Sequence, residues 1–75
     1  MNITIRNTDR LIDVNGVPAR IWEGQTDAGV PVLCLVTRIS PQSLDPAAIE
    51  TFARELTETT PPTDAAVAIP ARLIL

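Results

Sequence analysis

The sequence predicts an α+β fold. It comprises a three- to four-stranded antiparallel sheet built as a meander, one amphipathic helix packed on one face, and a C-terminal segment added as an edge strand. Three observations predict it. Residues 1 to 39 are dense in β-branched and aliphatic side chains broken by turn signals, residues 43 to 58 carry a single helical stripe, and residues 65 to 75 alternate apolar side chains to the last position. At 75 residues the chain holds one domain, 1 to 75, with a meander over 1–39, a helix over 43–58 and a strand over 65–75.

The first strand signal is the alternation of Ile3 and Ile5 with Asn2, Thr4 and Arg6. Leu11-Ile12-Asp13-Val14 then meets Asn15-Gly16, a two-residue hairpin signal, because a type I′ turn needs positive φ at both central positions. Pairing Val14 with Val17 sets Ile12 opposite Ala19 and puts Val14, Val17, Ala19 and Ile21 on one face. A loop carrying Thr26-Asp27-Ala28-Gly29 leads to a third strand from Val30 to Ile39. With four residues in that loop, Ile21 faces Cys34 and Ala19 faces Val36, leaving Leu11, Arg20, Trp22, Leu33 and Leu35 on the opposite face. Pro18 and Pro31 lack an N–H and belong at a strand end, an edge or a bulge; a bulge shifts these facings by one. Residues 32 to 36 are apolar on both faces in any register, the mark of a strand covered on both sides.

The helix is signalled by Asp45 as N-cap, Pro46 at the first helical position and Leu44 placed to staple onto Ile49. Ile49, Phe52, Ala53 and Leu56 form its apolar stripe, and Glu50 and Arg54 are spaced for an i, i+4 pair. Thr59-Thr60-Pro61-Pro62 ends it. In the tail, Val67, Ile69, Ala71, Leu73 and Leu75 alternate with Ala68, Pro70, Arg72 and Ile74, as an edge strand of its own sheet or of a neighbouring subunit would.

Composition excludes several functions. A chain this short buries only ~60% of its unfolded surface and usually needs a disulfide, a metal or a partner subunit. One cysteine, Cys34, closes no intrachain bridge, and one thiol without histidine is no zinc site, so self-association is the expected help. The net charge of −3 and a pI near 4.6 argue against a nucleic-acid surface. The longest apolar run, Val30 to Val36, is far short of a membrane span, and the N-terminus lacks the pattern of a secretory signal, so a cytoplasmic protein is expected.

Catalytic chemistry has little to draw on. His, Lys and Tyr are absent, and Cys34 among Val32, Leu33, Leu35 and Val36 reads as a packed, inert thiol. Asp13 and Glu23 read as solvated strand charges, no spacing of carboxylates marks a metal site, and Gly16, Gly24 and Gly29 read as turn or bulge residues rather than a phosphate loop. The expectation is a non-enzyme with no cofactor and no metal. Arg20 and Trp22, two residues apart on one strand, form the constellation best suited to binding. A guanidinium beside an indole can serve a protein interface or stack a small ligand, and equally can be a charged stem and a ring laid over the rim of the core. Leu33 and Leu35 on the same predicted face and Arg38 beyond them complete the candidate site.

The run Ile5-Arg6-Asn7-Thr8-Asp9-Arg10, continued by Val14 to Gly24 and by the Val30 to Ile39 strand, resembles small uncharacterised proteins encoded by tailed bacteriophages and prophages of GC-rich proteobacteria. The resemblance covers the first half of the chain and brings no catalytic residue with it. It implies an accessory protein, working in the bacterial host cytoplasm, that binds and inhibits a host protein, as anti-CRISPR and other anti-defence inhibitors do. Together with a sheet that offers more apolar surface than one helix covers, it gives the expected partners: a host protein and a second copy of the chain, as homodimer or higher homo-oligomer. Two further readings stand beside it, an oligomeric module that binds or sequesters a small anionic ligand or nucleotide signal, and a small structural component of a virion.

Overall fold

The computed structural model describes residues 1–67. Strands β1 (Ile3–Val14), β2 (Val17–Thr26) and β3 (Pro31–Val36) form an antiparallel meander in the order β1-β2-β3, followed by helix α1 (Pro46–Thr57) and a single turn of helix, α2 (Asp64–Val67). The α+β class and the three-stranded sheet are those the sequence predicts. Of the predicted C-terminal strand, residues 65–67 are helical because they belong to α2, and the rest, 68–75, lies outside the described residues.

The first hairpin follows from Asn15-Gly16. Both residues have positive φ, 52° and 83°, and the turn sets Val14 opposite Val17 and Ile12 opposite Ala19. Pro18 stands opposite Asp13 in a pair that exchanges no ladder bonds, so its missing N–H is directed to the side where β3, ending opposite Arg20, does not reach. β1 is longer than its apolar residues suggest because it runs through a wide irregularity. Asn7 pairs with Trp22 and Leu11 with Arg20, which leaves Thr8, Asp9 and Arg10 opposite Ile21 alone. Two extra residues are an even number, so side chains keep their faces on either side of the break. The Thr8 hydroxyl donates to the Ile21 carbonyl, taking the place of the missing ladder donor, and Thr8 is fully buried.

The second loop corrects the predicted register. Thr26 N–H donates to Val30 O and Gly29 N–H to Thr26 O, so the loop holds three residues, Asp27 to Gly29, with Gly29 at φ 84°. This is a turn followed by a left-handed glycine, the usual three-residue hairpin. Ile21 therefore faces Leu35 and Glu23 faces Leu33, while Trp22 faces Cys34 and Arg20 faces Val36. A one-residue slip reverses every side chain of a strand. Leu33 and Leu35 move from the Trp22 face to the Ile21 face, and Cys34 moves the other way.

The chain covers each face in part. Helix α1 begins as predicted: the Asp45 carboxylate accepts from Ala47 N–H at 3.1 Å and Pro46 opens the helix. Its expected supports differ. Leu44 is 97% exposed and staples nothing, and Arg54 lies 3.9 Å from Glu58 rather than pairing with Glu50, an exposed pair in the less favourable orientation. No residue of α1 is buried; Phe52 and Leu56 are half-buried and Ile49 is exposed. The helix meets the Trp22 face at its C-terminal end, where Asn7 Nδ2 donates to Leu56 O at 2.7 Å. The chain then crosses the outer edge of β1: Thr60 N–H donates to Asn7 O at 3.1 Å and Asp9 N–H to Thr60 O at 3.2 Å, a parallel bridge beside the bulge. Thr63 next donates its N–H, at 3.1 Å, and its hydroxyl to the Glu23 carboxylate on the Ile21 face, and Ala66 is fully buried. Glu23 is thus a buried acceptor rather than a solvated strand charge. Among the described residues the buried apolar side chains are Ala19, Ile21 and Ala66.

Candidate interaction groove

On the Trp22 face the β1–β2 hairpin, the chain leaving β3 and the end of α1 enclose an open groove of about 670 Å³. Arg20 and Trp22 stand in it side by side because they are two apart on β2. Leu11 and Pro18 lie toward the hairpin turn, Val36 at the end of β3 and the following residues 37–40 form the far wall, and Leu56 comes from α1. Its walls are mainly apolar, with the indole half-buried among them.

The bulge in β1 fixes the cation. With Thr8 to Arg10 displaced from the ladder, the Thr8 carbonyl is left for a side chain, and Arg20 Nη1 donates to it at 2.9 Å. One guanidinium nitrogen is held there, and among the described residues the remaining donors have no partner. Arg38, on the far wall, is exposed. Among the described residues no carboxylate lines the groove, and it carries Arg20 and Arg38, on a protein whose net charge is −3. Two cations within one apolar-walled concavity favour an anion more strongly than the same charges on open surface would.

Of the predicted site residues, the structure brings Arg20, Trp22 and Arg38 together and sets Leu33 and Leu35 apart, half-buried on the opposite face. Leu11, Ile39 and Leu56 take their place as apolar walls. Leu56 was visible only as part of the helical stripe, and nothing in the sequence marks Thr8 as the anchor of Arg20, since that role arises from a bulge without a glycine to signal it. Cys34, opposite Trp22, is free and half-buried. Among the described residues no three Cys, Asp or Glu side chains converge to hold a metal ion, and no helix is long and apolar enough to cross a membrane.

No protein-family model matches the chain, and neither curated proteins nor solved structures give a match.

Proposed function

We propose that the protein is a non-catalytic interaction module whose groove seats an acidic, partly apolar segment of another protein, in the setting the sequence resemblance implies: a phage-encoded accessory factor that inhibits a bacterial host protein. The observation that carries this reading is the groove's composition. Among the described residues it has an indole, aliphatic walls and two arginines, with no carboxylate, on an acidic chain. Trp and Arg are the side chains that most often dominate binding energy, and both are held on a strand, where ordering them costs little on association. The electrostatics give the preference for acidic partners and the apolar walls give the affinity.

The test is affinity capture from a bacterial lysate with the native chain, Trp22→Ala and Arg38→Glu in parallel. A partner held by the native protein should fall at least ~10-fold in recovery with either variant, the loss of a well-seated aromatic being worth about 2 kcal/mol or more. Equal recovery with Trp22→Ala, at an unchanged melting temperature, removes the groove from the account. The groove's volume also lies within the range of small-molecule sites, which keeps an anionic ligand as second reading. That reading requires a melting temperature raised by nucleotides or other small anions.

A further inference from the structure

Val32-Leu33-Cys34-Leu35-Val36 reads the same in both directions, and it lies in the edge strand β3. The bond from Thr26 N–H to Val30 O fixes the ladder's phase, so Val32, Cys34 and Val36 are the residues that exchange bonds with β2. Leu33 and Leu35 consequently turn their N–H and C=O groups outward. Among the described residues no backbone group pairs with them. An apolar edge of six residues without a charge invites another strand, and the only blunting device on it is Pro31, at its first position.

We propose that β3 pairs antiparallel with β3 of a second copy about a two-fold axis through Cys34, joining two three-stranded sheets into one. The palindrome makes this pairing self-complementary. Leu33 meets Leu35 of the partner subunit in a pair that exchanges both backbone bonds, Val32 meets Val36 of the partner subunit, and Cys34 meets Cys34 of the partner subunit. All four leucines fall on the Ile21 face and extend its apolar surface across the junction. Neighbouring registers are poorer. A slip of one residue opposes outward groups to inward ones and forms no ladder. A slip of two brings in either Pro31, which has no N–H, or Thr37, which lies outside the strand. Val36, at the end of β3, belongs both to this seam and to the wall of the Trp22 groove, while Arg20 and Trp22 lie a strand away on β2; the pairing does not depend on what the groove binds.

The geometry supplies its own reporter. Cys34 and its symmetry mate form a non-hydrogen-bonded pair with Cα atoms about 4.5 Å apart, inside the ~4.4–6.8 Å that a disulfide spans. Native mass spectrometry of the full chain at micromolar concentration should give a dimer. Diamide, taking up the two electrons and two protons of the thiols, should convert that dimer to a covalent one that reductant reverses. Leu33→Pro removes an outward N–H and trims a half-buried side chain while sparing the ladder to β2, so it should weaken dimerisation at least tenfold with an unchanged circular dichroism spectrum. If that variant does not fold, the native chain's cross-link decides alone. A monomer throughout, as would follow if residues 68–75 or a foreign strand took this edge, overturns the proposal. So does a dimer whose thiols fail to couple under diamide, or a folded Leu33→Pro variant that dimerises as tightly as the native chain.

Discussion

Gly24 lies inside β2 opposite Ile5 and Val32, two residues before Thr26 closes the hairpin loop, and no side chain fits there: a Cβ at that position would overlap the Thr4 carbonyl oxygen and crowd the Ile5 backbone. Both obstacles are backbone and cannot rotate away. Gly24→Ala should therefore cost about 2 kcal/mol or more, a fall in melting temperature on the order of 10 °C, and an unchanged melt would show that the strands separate there at no cost. Glu23 acts at the same scale by a different means. Its buried carboxylate accepts two bonds from Thr63 and so holds residues 60–67 against the sheet. Glu23→Ala should lose about 1.5–3 kcal/mol in urea unfolding, and Glu23→Gln, which keeps the shape and one acceptor oxygen, should lose less. Equal losses would mean that the charge and the second acceptor oxygen, rather than shape, carry the contact.

At the scale of elements, what was legible in the sequence is what local chemistry determines. Asn15-Gly16 imposes its turn because few other residue pairs accept positive φ twice, and Asp45-Pro46 starts α1 because both residues suit a helix N-terminus and little else. Register was legible only where such a signal set it. The β1–β2 pairing next to the turn follows directly, whereas the β2–β3 pairing depends on whether the loop holds three residues or four, and Thr26 belongs equally well to a strand or a turn. That one residue decided the face of Leu33, Leu35 and Cys34, and with them the membership of the candidate site. The bulge at Thr8 to Arg10 was illegible for the same reason: it exists because Thr60 and the Thr8 hydroxyl satisfy groups the ladder leaves unpaired, and both partnerships are long-range. Helix α1 was easy to find and its packing was not. An apolar stripe shows what a helix can bury, and here none of its residues is buried. Backbone amides of α1 should accordingly exchange with solvent at least ~10-fold faster than those of β2, and equal protection would mean that α1 is held by more than its last turn.

At the largest scale, thin cover is the governing feature of the described residues. The radius of gyration is 13.6 Å, against about 11 Å for a compact chain of this length, and large apolar side chains such as Leu11, Val17, Ile39 and Ile49 stay exposed. The sheet has a helix end on one face, eight residues of its own chain reaching the other, and an apolar strand along an edge. Exposed surface of this kind costs little when another protein covers it, which connects the meagre core to the proposed role. Trp22 allows that role to be read directly, since it is the chain's single tryptophan and there is no tyrosine to obscure it. The decisive measurement is the fluorescence of Trp22 during titration with a partner recovered by capture, with binding followed independently by calorimetry. The account predicts that emission shifts to shorter wavelength in step with the heat of binding, as the indole leaves water. Full calorimetric binding with the emission unmoved would contradict it.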